Sequence, residues 1–411
     1  MQPKPSKIDI LFYIITRFPL LILIVSIIAL DRLLKQKLKF PRDIQELEQK
    51  TDWCLQVLKQ VNCLPEKAVI SNIRIQPFQQ YIALRSSLAK IKIDYQLQEK
   101  EFCFSCIAKL SPTAGSFRDQ VIYVLQQNHT KEVNFYNKLS AILPVRIPQV
   151  YFADANPLTG NMCILLEDMS NWQVIEEYQG CPREKAKLSV AAMAKLHASF
   201  WEIKNSQTAW LKPLQPAPLL DLIGYQYKGI NSQAVQEVWQ IAWRRGNRQP
   251  LTIIHGDWRV GNLLFSANTE EVAILDWQCI RQGQGVFDLA YFINLSLNPE
   301  LRREQEETLL NLYHQELLKN GVQGYNFEQC QADYCASITF ILLLVTIPML
   351  NAETSADEKY QEEVKRFSAA WSSRLTAISE DIDYETMAKI LGIDASTLQQ
   401  VWEIAKIIEW L

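Results

Sequence analysis

The stretch Ile253-Ile254-His255-Gly256-Asp257-Trp258-Arg259-Val260-Gly261-Asn262-Leu263-Leu264-Phe265 puts a carboxylate and, five residues later, a carboxamide around one short loop. An apolar strand end feeds the loop, and a second apolar strand, Val272 to Leu275, delivers Asp276 beside it. Two carboxylates and an amide oxygen are hard donors, the kind Mg²⁺ takes together with substrate phosphates. The chemistry served by such a set is phosphoryl transfer. That reaction needs positioned metal ions, a cradled phosphate and a carboxylate that orients the attacking hydroxyl, with little covalent help. A lone H-x-D would equally be a surface turn with ordinary capping residues, so the surrounding elements must decide.

Those elements come in a definite order. Residues 43 to 61 carry helical spacing (Ile44, Leu47, Trp53, Leu55, Leu58) and predict one helix or two short ones. Residues 69 to 110 switch to alternation, with Phe102 to Ala108 as a compact strand. A helix is predicted around Thr130 to Leu143, stopped at Pro144, and a strand pair at Val150-Tyr151-Phe152 and Met162 to Leu166. From Pro182 the chain is mostly helical, broken by loop and strand between Leu251 and Gly285. The fold class is therefore α+β, a β-rich lobe followed by a helical one. The predicted segments are 1–42 (apolar helix and basic flank), 43–168 (N-lobe with its preceding helix), 169–375 (helical C-lobe with the loop) and 376–411 (C-terminal helices).

The motifs HGDWRVGNLLF, ILDWQ and Gly285-Val286-Phe287-Asp288-Leu289-Ala290-Tyr291-Phe292, in that order, resemble the aminoglycoside phosphotransferase and choline kinase group. Within it the ecdysteroid-kinase-like (CHK kinase-like) branch is most similar, and the likeness extends to Leu165-Leu166-Glu167-Asp168-Met169 and Met193 to Ala198, covering about residues 70 to 375. The resemblance implies a two-lobed protein-kinase-like fold and ATP with Mg²⁺ as cofactors. It implies Asp257 as the catalytic base or hydroxyl-orienting carboxylate, and Asn262 and Asp276 as Mg²⁺ ligands. His255 would brace the loop, and Asp288 would hold it in shape from behind.

A kinase of this kind uses a strand lysine held by a helix glutamate. Ser105-Cys106-Ile107-Ala108-Lys109 supplies the lysine, and Glu132 matches the family's E-x-x-F-Y. Without the likeness, Lys109 reads as a solvent-facing strand end and Glu132 as a helix N-terminal charge. Glu167 and Asp168 fall where the connector would meet adenine through its backbone. His197 reads as a core histidine. One departure concerns the phosphate-covering turn expected between Ile73 and Ile93, because no glycine occurs before Gly115 and only Arg85, Ser86 and Ser87 offer donors.

The expected activity is therefore ATP-dependent transfer of a γ-phosphate to a hydroxyl of a small molecule; the alternative is a catalytically inactive kinase-fold scaffold at the membrane. A third possibility, a protein kinase, is disfavoured by the absence of D-F-G, A-P-E and an activation segment, since Gly285 follows only nine residues after Asp276. The acceptor is not legible. Trp201, Trp210, Tyr225, Tyr227, Trp239 and Trp243 line an apolar pocket or belong to the core, and no acidic cluster awaits a polycation. The apolar N-terminus points toward a lipid-like, sterol-like or other membrane-partitioned alcohol.

With 48% hydrophobic and 21% charged residues and a net charge of −3, the 411-residue chain has ordinary globular composition and no electrostatic footprint for nucleic acid. Its nine cysteines read as reduced structural thiols, and Cys103 and Cys106 in one strand would face opposite sides. Residues 11 to 30 are almost continuously apolar, about long enough for a hydrocarbon core of roughly 30 Å. The basic cluster from Arg32 to Arg42 leaves the remainder on the cytoplasmic side by the positive-inside rule, so a membrane anchor is expected, the alternatives being a helix lying in the membrane interface or one packed on the protein. Ile338 to Leu350 is too short to span and predicts a core helix. The stretch from Asp383 to Leu398 suggests a small helix-turn-helix with too little basic charge for DNA, a packing or docking element.

Overall fold

The structure is a computed structural model that describes residues 19–34, 38–78, 86–112, 117–203, 208–213, 232–268, 270–352 and 361–407. It divides into two compact units: Met1–Ser140 with Pro148–Asp168, and Ala141–Ile147 with Met169–Leu411.

In the first unit, α1 (Pro19–Leu34) is followed by α2 (Ile44–Gln49) and α3 (Thr51–Gln60). The helical pattern of residues 43 to 61 is thus realised as two short helices. The first is capped by the Asp43 carboxylate, which accepts from Glu46 N at 2.8 Å. Five strands follow the alternation: β1 (Val69–Pro77), β2 (Ser87–Leu97), β3 (Lys100–Leu110), β4 (Val150–Ala155) and β5 (Met162–Glu167). They form an antiparallel sheet in the order β1-β2-β3-β5-β4.

Ala89, Ile91 and Ile93 on one face of β2 are fully buried while Lys92 between them is exposed. Their face packs with Cys106, Ala108, Leu110, Cys163 and Leu165 onto Leu47 and Leu58 of α2 and α3. Each such aliphatic side chain contributes about 1.5–3 kcal/mol relative to exposure. Cys103 is exposed and Cys106 buried, as the pleat requires. Between β3 and β4 lie α4 (Phe117–Gln126) and α5 (Asn128–Lys138). The second of these was expected to run to Leu143; it ends at Lys138, and a 3₁₀ turn covers Ser140–Ile142.

The N-terminal reading needs correction. Residues 11–18 of the expected span lie outside the described residues, and among the described residues no helix is long and apolar enough to cross a membrane. Helix α1 has 16 residues. Its Ile24 and Ile28 are buried against Val121 and Val124 of α4. At its end the buried carboxylate of Asp31 accepts from Arg42 Nη1 at 3.3 Å and Asn161 Nδ2 at 3.1 Å. Ile24 and Ile28 thus have a protein partner where a bilayer was expected. Membrane anchoring through residues 11–30, and the cytoplasmic orientation deduced from it, fall together.

The second unit holds β6 (Gln173–Val174), α6 (Arg183–Ser199), α7 (Ser232–Gly246), β7 (Thr252–Ile254), β8 (Leu263–Phe265), β9 (Val272–Ile274) and β10 (Arg281–Gly283). Six helices follow: α8 (Val286–Ser296), α9 (Pro299–Lys319), α10 (Phe327–Ala352), α11 (Gln361–Asp381), α12 (Tyr384–Leu391) and α13 (Ala395–Ile407). Two small antiparallel sheets, β6-β8-β9 and β10-β7, grip the chain on either side of residues 255–262. Helix α8 is apolar nearly all round and every one of its residues is buried. Ile338 to Leu343 of the predicted core helix are buried within α10. The C-terminal pair α12 and α13 turns at Gly392 (φ +73°) and buries Met387, Leu391, Leu398, Val401 and Trp402. It is a packing element of this unit.

Candidate active site

The loop after β7 is built around a buried carboxylate. Asp288, in the first turn of α8, is completely buried. Its Oδ2 accepts from His255 N at 2.6 Å and its Oδ1 from Gly256 N at 2.9 Å. Oδ2 also lies 3.3 Å from His197 Nε2, whose ring is bonded through Nδ1 to the Tyr313 hydroxyl at 2.8 Å. Burial alone would raise the Asp288 pKa. The hydrogen bond and electrostatic attraction of His197, with the Gly256 amide, outweigh it and hold the carboxyl below its ordinary value. Gly256 has φ +82°, and a Cβ there would lie 2.5 Å from the Cys279 carbonyl, so the turn demands glycine.

His255 ties the loop to the next motif. Its Nε2 bonds the Leu275 carbonyl at 2.8 Å and its Nδ1 accepts from Asp257 N at 3.2 Å. A carbonyl only accepts and an amide N–H only donates, so these partners select the neutral Nε2–H tautomer. Leu275 N in turn donates to the Asn262 carbonyl at 2.9 Å. Both backbone groups of Leu275 are therefore stitched to the loop, which brings the adjacent Asp276 to it. Asp276 adopts the left-handed region (φ +61°), sparsely populated for a residue with a Cβ. Its Oδ2 accepts from Gln278 Nε2 at 3.1 Å.

Asp257 and Asp276 are half-buried and Asn262 is 5% exposed. Asn262 Nδ2 donates to the Asp257 carbonyl at 2.9 Å and to Asp257 Oδ2 at 3.0 Å. Engaging the amide nitrogen twice turns the amide oxygen the other way, as an acceptor. The donor set is thus all oxygen. Among the described residues no group of three or more His, Cys, Asp or Glu forms a metal cage. Two carboxylates and one amide oxygen fit a hard cation such as Mg²⁺, which keeps water and phosphate for its remaining positions.

In the first unit, Lys109 Nζ near the end of β3 meets Glu132 Oε1 of α5 at 2.7 Å, with side chains 10% and 1% exposed. Asp168 does not face outward; its Oδ2 lies 2.6 Å from Lys90 Nζ and accepts from Ser105 Oγ at 2.6 Å. The tip of the expected phosphate-covering turn, residues 79–85 with Arg85 among them, falls outside the described residues. So do Tyr225 and Tyr227. Trp239 is core, 4% exposed against Phe340.

Sequence reasoning missed the loop's flank. Arg259 Nη1 donates to Glu177 Oε2 at 2.9 Å, and its Nε lies 3.4 Å from Asp257 Oδ1. Ser296 Oγ accepts from Val260 N at 3.0 Å, and Ser189 Oγ from Trp258 Nε1 at 2.9 Å. Only the position of Arg259, two residues after Asp257, was a signal; nothing in the sequence names its partner.

The model of the ecdysteroid kinase-like family matches residues 83–238 and 218–323, together more than half of the chain. An uncharacterized kinase-like protein of Caenorhabditis elegans is 23% identical over 252 residues, 54% of this chain. The chain spans 66% of that relative's length, just under two thirds. Among solved structures, a Plasmodium vivax ethanolamine kinase superposes with a TM-score of 0.50 at 12% identity, covering 78% of this chain and 87% of its own. A putative aminoglycoside phosphotransferase from Ralstonia eutropha gives 0.46 at 14% identity, covering 86% and 97%. The fold is kinase-like, mixed helix and sheet with the larger sheet in the N-terminal unit, and the chain belongs to the ecdysteroid kinase-like family.

Proposed function

We propose that the chain is an ATP-dependent phosphotransferase that moves the γ-phosphate onto a hydroxyl of a small molecule. The observation that carries this is the loop 255–262. Four buried or half-buried polar residues, His255, Asn262, Asp288 and His197, serve to hold the Asp257 carboxylate and the Asp276 segment in one arrangement. Family membership and the kinase-like fold support the same reading. Asp257 orients the acceptor hydroxyl and takes its proton as the oxygen bonds to the γ-phosphorus and the bond to the ADP oxygen breaks. Asn262 and Asp276 would hold Mg²⁺, which when bound neutralises charge on the phosphates. Lys109, oriented by Glu132, pairs with phosphate oxygens.

The test is the thermal midpoint of the full chain with and without ATP plus Mg²⁺, beside Asp276→Ala. A ligand bound only by the folded state stabilises by mass action, about 2.7 kcal/mol at a hundredfold Kd. The midpoint should rise for the wild type when both components are present, and not for Asp276→Ala. No rise at millimolar ATP in the folded wild type would favour a kinase-fold scaffold, which the absence of glycine before Gly115 also favours.

The ion pair of the first unit gives a separate expectation. Lys109→Met removes the ion-pair partner of Glu132, which is 1% exposed, and should cost about 3–5 kcal/mol of stability together with nucleotide binding. Lys109→Met combined with Glu132→Gln should recover much of the stability in urea titrations but none of the nucleotide-dependent midpoint rise. If the double variant binds nucleotide as the wild type does, Lys109 is a structural partner and no phosphate ligand.

A further inference from the structure

We infer that Arg259, clamped by Glu177, is the positioning residue that fixes the rotamer of the Asp257 carboxylate, an inference that rests on the phosphotransfer reading above. The carboxylate is held at both oxygens: Oδ2 accepts from Asn262 Nδ2 at 3.0 Å, and Oδ1 faces Arg259 Nε at 3.4 Å. Without Arg259 the carboxylate loses the charged group facing Oδ1 and keeps only neutral partners, the Asn262 amide and the Tyr291 hydroxyl, to set its χ2.

Arg259 is itself immobilised. Its Nη1 donates to Glu177 Oε2 at 2.9 Å, and the same oxygen accepts from Gly261 N at 3.0 Å. Glu177 is 3% exposed and anchored from behind, because its Oε1 accepts from Trp371 Nε1 at 3.2 Å and its carbonyl from Arg374 Nη2 at 2.7 Å. Helix α11 thereby holds Glu177, Glu177 holds Arg259 and the loop backbone, and Arg259 holds Asp257. Burial alone would lower the Arg259 pKa, but Asp257 and Glu177 outweigh it and keep the guanidinium charged.

The loop also leaves room for this pair. A Cβ on Gly261 would lie 2.5 Å from Arg259 Nη1 and 2.7 Å from Glu177 Oε2. Gly261 needs no positive φ, so its lack of a side chain serves the close approach of the clamp. A planar guanidinium presents Nε and Nη1 to two carboxylates in a fixed geometry, which a lysine ammonium cannot copy.

The experiment compares Arg259→Gln, Arg259→Lys and Gly261→Ala in the full chain, reading kcat and KM for ATP from steady-state turnover, with the Mg²⁺·ATP-dependent midpoint rise beside them. Misplacing a reacting group by an ångström costs on the order of 10²-fold. Arg259→Gln should lose about that factor in kcat, with KM for ATP within about threefold and the midpoint rise retained. Arg259→Lys should regain roughly tenfold, and Gly261→Ala should lose kcat in the same way by displacing the clamp without removing a charge. Wild-type kcat in Arg259→Gln overturns the inference. So does a loss that appears in KM for ATP and in the midpoint rise, which would make Arg259 a nucleotide ligand. If the wild type neither binds nucleotide nor turns over, the phosphotransfer reading fails and takes the inference with it.

Discussion

Asp288→Ala should cost about 3–5 kcal/mol, the range for breaking a buried charged network, and lower turnover by at least about 10²-fold. Three donors converge on this carboxylate, the amides of His255 and Gly256 and the ring of His197, and all are buried. Alanine leaves the two amides facing a cavity, each worth roughly 1–3 kcal/mol of desolvation left uncompensated. The turnover loss follows because those amides fix the turn that aims Asp257. Asp288→Asn keeps one acceptor oxygen but points an amide group at the second donor, so it should fall between alanine and the wild type. A pH dependence follows too. The folded Asp288 pKa is lowered from 3.8, so the stability it contributes is complete above that value and is lost as pH falls through the depressed folded value. Urea midpoints taken between pH 7 and 3 should therefore decline less steeply below about pH 4 for Asp288→Asn. Parallel acid limbs would show that Asp288 does not carry the charge assigned to it.

The site was legible in the sequence where its parts are neighbours in the chain, and opaque where they are not. Asp257, Asn262 and His255 lie within eight residues, and their mutual bonds are those of one tight loop between two short apolar strands. Asp288 entered through family likeness, because nothing in its local pattern says that a residue inside a nearly all-apolar helix turns its carboxylate to amides more than thirty residues earlier. Glu177 lies 82 residues before Arg259 in a short 3₁₀ turn with no periodic signal, so its pairing could not be read from spacing. His197 was expected to be a core histidine. It is fully buried, and its burial is what lets it act on Asp288 at low local polarity.

The N-terminal error has the same origin. Hydropathy counts apolar residues and does not say what covers them. Asp31 is secured by Asn161, which is 130 residues away, and Ile24 and Ile28 by Val121 and Val124. A helix with such partners reads, one-dimensionally, like one facing lipid.

Asp257→Asn should separate an enzyme from a scaffold most sharply. The substitution is isosteric and keeps an oxygen able to accept from Asn262 Nδ2, so the loop should stay formed and the midpoint should move little. It removes the group that takes the proton, and general-base catalysis is worth about 10²–10⁴-fold, so kcat should fall by roughly 10³. KM for ATP should stay within about threefold, since Asp276, Asn262 and Lys109 are untouched. Asp276→Ala should show the opposite split, losing the Mg²⁺-dependent nucleotide effect itself. Two carboxylates in one loop system would then fail in two different measurements, as expected if one serves the acceptor and the other the metal. Should Asp257→Asn turn over ATP at the wild-type rate with any hydroxyl acceptor the wild type accepts, the proton has another destination and Asp257 only shapes the loop. Because Asp257→Asn also removes the charge facing Arg259 Nε, comparing it with Arg259→Gln and the double variant isolates the pair's coupling. If Arg259 acts through Asp257, its removal should cost almost nothing further once Asp257 is asparagine.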